Sequence, residues 1–252
     1  VGTVALMKQA DPSLTVPDIQ SIFSGGSKIN YDGDTEFGDV THLSFERLDI
    51  DNAIDLALAR RPGPLGSTGD VATNGEGNSM AYDADGVLHM VYYDGIQKTL
   101  EYVTRDTNRG LSQPQRIDPS SDDVGGYVSL AIDRYNRPAV AYFDGTAGDL
   151  KFAHFNGSSW DITTIDSGGS VGLYPALIYD ANNDPVISYF QKSRGDLRVA
   201  SYDGTVWNIQ TVDSAGVVGR STSITMDKKT GELAIAYEDS THGRLKVARN
   251  SG

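Results

Sequence analysis

The chain has 252 residues, a formal net charge of −13, 38% hydrophobic residues, 28 glycines and no cysteine. That charge argues against nucleic acid and against an anionic membrane surface, both of which need clustered Lys and Arg, and no window approaches the ~18 uninterrupted apolar residues of a membrane span. Without cysteine there are no disulfides, no zinc–cysteine sites and no thiol chemistry. In chain order, residues 4–58 carry helical punctuation. Val4, Ala5, Leu6 and Met7 open an apolar run that Asp11-Pro12 stops, because proline disfavours helix in the residue before it. Thr15-Val16-Pro17-Asp18 reads as an N-terminal cap: the Thr15 hydroxyl can accept from the Asp18 N–H, and Pro17 loses nothing in a first turn. Ile19, Ile22 and Phe23 follow at helical spacing, and Asp51 to Leu58 makes a third short helix. The prolines and glycines of Arg61-Pro62-Gly63-Pro64-Leu65-Gly66 cannot continue it, so residues 60–76 are expected to be a linker.

From residue 77 the pattern becomes short alternating apolar runs between Gly, Asn and Asp, and it repeats. VSLAIDRYNRPAVAYFDGTAGDLKFAHFNGSSWDITTID (128–166) realigns with PALIYDANNDPVISYFQKSRGDLRVASYDGTVWNIQTVD (175–213). Asp133, Asp180 and Asp227 are spaced by 47, as are Gly125, Gly172 and Gly219, and Trp160 and Trp207. Tyr92, Tyr142, Tyr189 and Tyr237 keep step with Leu100, Leu150, Leu197 and Leu245. Each copy holds four strand-sized runs, and four short antiparallel strands in ~40–50 residues are the unit of a β-propeller blade. The expected fold is mainly β: four blade repeats (77–124, 125–171, 172–218 and 219–252), the last incomplete, behind a small helical N-terminal segment. A stacked solenoid or a sandwich is the alternative.

The N-terminal stretch VGTVALMKQADPSLTVPDIQSIF resembles the segment just downstream of the nucleophile in subtilisin-like serine proteases. In that family a Gly-Thr-Ser-x-Ala-x-Pro-His-Val motif runs into a buried helix, a Pro-Ser-Leu-Thr turn and a second capped helix. Arg47-Leu48-Asp49-Ile50-Asp51-Asn52-Ala53-Ile54 is similar to the helix that closes the same α/β catalytic domain, with Phe45-Glu46 near where the family has Gly-x-Gly. The resemblance covers about residues 1–59 and implies that they are the C-terminal remnant of such a domain. The reactive Ser would then lie before Val1 and the Asp and His further upstream, so no catalytic residue is expected in this chain. It implies a secreted, bacterial serine endopeptidase with its catalytic domain upstream in cis and the propeller as an accessory domain for a protein or polysaccharide ligand. A non-catalytic binding propeller and a propeller glycosidase are the alternatives. The sialidase Asp-box Ser-x-Asp-x-Gly-x-Thr-Trp is absent; Asn156-Gly157-Ser158-Ser159-Trp160 keeps only a Trp after a turn.

Two further groups of residues stand out. Tyr92 and Asp94, Tyr142 and Asp144, Tyr189, and Tyr237 and Asp239 end the second run of each copy, with Gln191 replacing the third Asp. Gathered on one face they would form an aromatic, acidic ring suited to a sugar or peptide; otherwise Tyr packs between blades and Asp bonds its own turn. Trp160 and Trp207 are read as anchors between blades. Asp32, Asp34, Glu36 and Asp39 offer oxygen ligands that could hold Ca²⁺, although they lack the spacing of the calcium-loop motif and equally suit a solvated acidic loop.

Overall fold

The structure is a computed structural model that describes the strand backbones of residues 27–30 and 45–48, and residues 75–250 apart from 107–109, 121 and 228. The chain divides into two compact units, Val1–Gly69 and Asp70–Gly252. In the first, β1 (Ser27–Asn30) pairs antiparallel with β2 (Phe45–Leu48), Ser27 standing opposite Leu48. This pair was not expected, because SKIN and FERL are too short for an alternating pattern to emerge. The three expected helices, the linker up to residue 74 and the calcium candidates Asp32, Asp34, Glu36 and Asp39 lie outside the described residues.

The second unit is a β-propeller arc of four blades. Blade 1 holds β3 (Gly75–Tyr82), β4 (Leu88–Asp94) and β5 (Thr99–Asp106), with its outer edge split into β6 (Gly110–Leu111) and β7 (Gln115–Arg116), both on β5. Blade 2 is β8 (Val124–Ile132), β9 (Pro138–Asp144), β10 (Asp149–Phe155) and β11 (Trp160–Asp166). Blade 3 is β12 (Val171–Tyr179), β13 (Pro185–Gln191), β14 (Asp196–Tyr202) and β15 (Trp207–Asp213). Blade 4 shows three strands, β16 (Val218–Met226), β17 (Leu233–Asp239) and β18 (Arg244–Arg249). Each blade is an antiparallel meander in chain order, and the first strands abut in sequence, β3 on β8, β8 on β12 and β12 on β16.

The reason for the arc is apolar surface that one blade cannot cover. Each hydrophobic cluster spans two sheets. Val91 and Leu100 of blade 1 pack with Val124, Leu130, Val140 and Tyr142 of blade 2. Leu150 and Phe152 pack with Val171, Leu177, Ile187 and Tyr189 of blade 3, and Leu197 and Val199 with Val218, Ile224, Ile235 and Tyr237 of blade 4. The repeated Gly and Leu meet at these seams. At Gly172 the backbone has φ +93°, and a Cβ there would stand 2.7 Å from the Leu150 Cα. At Gly219, φ is +103° and a Cβ would stand 2.7 Å from the Leu197 Cα. Only glycine combines that backbone with so close an approach, and each sits at a register shift in its strand.

The hairpin turns of the first three copies are fastened the same way, whereas that of the fourth is one residue longer. Asp133 Oδ1 accepts from the N–H groups of Tyr135 and Arg137, and Asp180 Oδ1 from those of Asn182 and Asp184. Asn136 and Asn183, with φ of 60° and 72°, then reach back one blade: their Oδ1 atoms accept from Ala84 N and Arg134 N at 3.1 and 2.8 Å. Leu100, Leu150 and Leu197 are fully buried, whereas Leu245 at the same register of blade 4 is 78% exposed. Truncation separates these environments: Leu197→Ala is expected to destabilise the protein by about 2–5 kcal/mol and Leu245→Ala by under about 0.5 kcal/mol. Urea denaturation monitored by Trp fluorescence checks this, and equal losses would contradict the packing described.

Candidate functional site

The tyrosines expected to ring a ligand are placed elsewhere. Tyr142 and Tyr189 are fully buried, and Tyr237 and Tyr92 nearly so. The hydroxyls of the first three are committed to an aspartate on the preceding blade: Tyr142 donates to Asp118, Tyr189 to Asp166 and Tyr237 to Asp213, each at 2.7 Å. A cation from the neighbouring third strand completes each seam. Lys151 stands 3.1 Å from Asp118, Arg198 2.5 Å from Asp166, and Lys246 bonds Asp213. The acidic half of the expected ring caps its own turns. Asp94 Oδ1 accepts from Ile96 and Gln97 N–H, Asp144 Oδ1 from Thr146 and Ala147, and Asp239 Oδ1 from His242. Of the two readings the sequence allowed, these contacts are those of blade fasteners, and they leave no tyrosine ring open to a ligand.

Burial raises the Tyr142 and Tyr189 hydroxyls far above the ordinary phenol range, and the nearby carboxylates add to it. For Asp213 burial also pushes upward, but the bonds from Lys246, the Ala215 N–H and Tyr237 outweigh it and hold the carboxyl down to about 2. Asp118 is also lowered, the bonds from Ser120, Tyr142 and Lys151 overcoming its desolvation. A carboxylate lowered on folding contributes stability that is present above its unfolded value of about 3.9 and is lost as pH falls through the folded value. Stability is therefore expected to decline from about pH 5 toward pH 2, and Asp213→Asn should flatten that acid limb. Urea midpoints measured across this range provide the check; an unchanged slope in the variant would contradict it.

A different site lies between blades 2 and 3. A cleft of about 280 Å³ opens there, with Phe152 from β10, Tyr179 from β12, Tyr202 from β14 and Trp207 from β15 as its aromatic lining. The Trp207 ring stands 5.2 Å from Phe152 at 65° and 5.4 Å from Tyr202 at 49°, edge-to-face and tilted contacts that hold an indole in place. Asp133, Arg137, His154, Asp161, Thr163, Asn183 and Asp184 supply the polar side. The Tyr179 hydroxyl is buried there without a hydrogen-bond partner, and burial raises its pKa.

Asp133 organises the polar wall. Beyond its turn-capping bonds, its Oδ2 accepts from Arg137 Nε at 2.8 Å and faces Arg137 Nη2 at 2.7 Å and His154 Nε2 at 3.4 Å. Desolvation works to raise this carboxyl, but the bonds from Arg137, the Tyr135 N–H and His154 prevail and set it below the usual carboxylate range. Arg137 also lies over the Tyr135 ring at 4.9 Å, so its guanidinium is held on two sides. The corresponding seam between blades 1 and 2 is filled differently. There His89 is buried between Asp83, 3.2 Å from Nε2, and the Tyr102 hydroxyl, 2.6 Å from Nδ1. Trp160 packs on Tyr102 and Phe155 at 5.2 and 5.4 Å with its indole N–H buried and unpartnered, as an anchor between blades. Trp207 does both jobs, anchoring a seam and facing the cleft. Sequence reading treated the two tryptophans alike and passed over Asp133, His154 and Tyr179 as binding residues, because pocket lining depends on which copy carries which neighbour.

No family model matches the chain, and no curated protein matches it. Solved structures do. A protein of unknown function from Dyadobacter fermentans superposes with a TM-score of 0.51 at 13% identity, over 68% of this chain and 51% of that one. AofleA from Arthrobotrys oligospora gives 0.52 at 12% identity, over 69% and 52%. The Hadza microbial sialidase Hz136 gives 0.53 at 15% identity, over 71% and 45%. The chain thus spans about half the length of these structures, and what it shares with them is the β-propeller fold.

Proposed function

We propose that the propeller is a carbohydrate-binding module whose site is the cleft between blades 2 and 3. The observation that carries this reading is the pairing of Trp207, Tyr202 and Phe152 with a wall of carboxylate, imidazole, amide and hydroxyl groups in one concavity. A sugar ring presents apolar C–H faces and a rim of hydroxyls, and an aromatic surface flanked by hydrogen-bonding groups is its complement. The concave shape suits a small ligand better than a protein surface, which needs on the order of 800 Å² per partner. A glycosidase is the second reading, favoured by the three carboxylates of the cleft. It is the weaker, because hydrolysis needs a carboxyl raised to act as general acid, and the buried one of the three, Asp133, is instead lowered by its bonds from Arg137 and its turn.

We further propose, on the resemblance over residues 1–59, that this module is carried behind the catalytic domain of a secreted, bacterial subtilisin-like serine endopeptidase. The propeller would hold the enzyme on a polysaccharide or glycoprotein while the upstream domain hydrolyses peptide bonds; this chain alone would be inactive. Coding sequence immediately before Val1 that reads Gly-Thr-Ser-x-Ala-x-Pro-His supports this part, and any other sequence there removes it.

The binding reading is tested with the full chain on an array of simple glycans, followed by calorimetry. Binding without release of sugar is expected, and Trp207→Ala should weaken it more than tenfold while the unfolding transition stays cooperative. Sugar release would replace the binding reading with the glycosidase. Full affinity in Trp207→Ala would exclude this cleft as the site.

A further inference from the structure

We infer that the cleft between blades 2 and 3 takes an uncharged sugar and rejects an acidic one, an inference that rests on the carbohydrate-binding reading above. It starts from the charges facing the cavity. Asp133, Asp161 and Asp184 line it as carboxylates, and Arg137 is the one guanidinium or ammonium among the lining side chains. Three carboxylates against one guanidinium give these four side chains a formal charge of −2.

The single cation is also committed. Two of the three Arg137 guanidinium nitrogens are on Asp133 Oδ2, at 2.8 and 2.7 Å, and the group is stacked against Tyr135 at 4.9 Å. Recognition of a carboxylate is strongest when a guanidinium offers both prongs of its fork, and freeing that fork here would strand the buried Asp133. Among the described residues neither Asp161 nor Asp184 forms an ion pair, and Asp161 Oδ1 accepts from Asn156 Nδ2 at 3.0 Å. An acidic sugar would therefore bring its charge against two carboxylates with no ion-pair partner among the described residues, and like charges brought together in a partly enclosed site repel.

The same groups favour hydroxyls. The carboxylates of Asp161 and Asp184 accept from sugar O–H groups, and the Thr163 hydroxyl can donate or accept. The volume of about 280 Å³ lies at the lower end of small-ligand pockets, roughly 300–1,000 Å³, and suits one sugar ring against Trp207. The sialidase with the same fold is thus no guide to the ligand of this cleft, since sialic acid is itself a carboxylate.

Matched pairs of probes test this: glucose with glucuronate, and galactose with galacturonate, which differ in the carboxylate at C6. The full chain is titrated with each by calorimetry and Trp fluorescence at neutral pH and low salt. Within a pair that binds, the neutral sugar is expected to bind at least tenfold more tightly, and the gap should shrink several-fold in Asp161→Asn/Asp184→Asn. Circular dichroism confirms that the variant is folded. An acid that binds as tightly as its neutral partner overturns the inference and leaves the carbohydrate reading intact. A gap unmoved by the double substitution overturns the electrostatic cause argued here. If neither member of either pair binds, and the glycan array is blank, the carbohydrate reading fails and the inference with it.

Discussion

The seam between neighbouring blades is the constraint on which the rest of this structure depends. A four-stranded meander has two faces and can shield neither without a neighbour, so each hydrophobic cluster is shared between sheets. Closeness there comes from a missing side chain. The glycine that opens β12 or β16 lets its backbone lie against a leucine of the preceding blade at a distance no Cβ would allow. That contact places two blades in one relative register, because a shift of one residue would bring a side chain where only a backbone fits.

The apolar contact does not by itself choose an orientation. The buried Tyr–Asp–cation groups supply directional contacts at the same seams: Asp166 receives the Tyr189 hydroxyl and the Arg198 guanidinium, and Asp118 receives Tyr142 and Lys151. Burying a carboxylate is costly unless it is paired and hydrogen-bonded, so such a seam is stable only when all its members are present. The fasteners lie on every seam among the four blades. What varies is the space beside them.

That variation is where a binding site can arise within a repeated fold. Between blades 1 and 2 a histidine fills the seam and bonds both an aspartate and a tyrosine. Between blades 2 and 3 the position of His89 is occupied by Ala139 and that of Tyr102 by Phe152, and a cleft opens. The scaffold tolerates this because the glycine–leucine contact and the buried aspartate still hold the two sheets together. The cleft is rigid on one side, through Asp133 and Arg137, and aromatic on the other, a combination suited to orienting a small polar ligand.

Much of the fold was legible in the sequence. The 47-residue register of Asp, Gly and Trp, and the four alternating runs per copy, determined the propeller, because every blade must present the same groups to the same neighbours. The roles of the repeated tyrosines were not legible. A tyrosine recurring beside an aspartate fits a ligand ring as well as an inter-blade hydrogen bond, and the partner of Tyr189, Asp166, is 23 residues away on another sheet. The candidate site was hidden for a related reason: its residues come from strands and turns of two blades, and shared positions such as Asp133 and Trp207 line a cleft only beside positions where the copies differ, such as Phe152 and His154. Periodicity reports what the copies have in common. A cleft made by their differences exists only once packing has brought the sheets face to face.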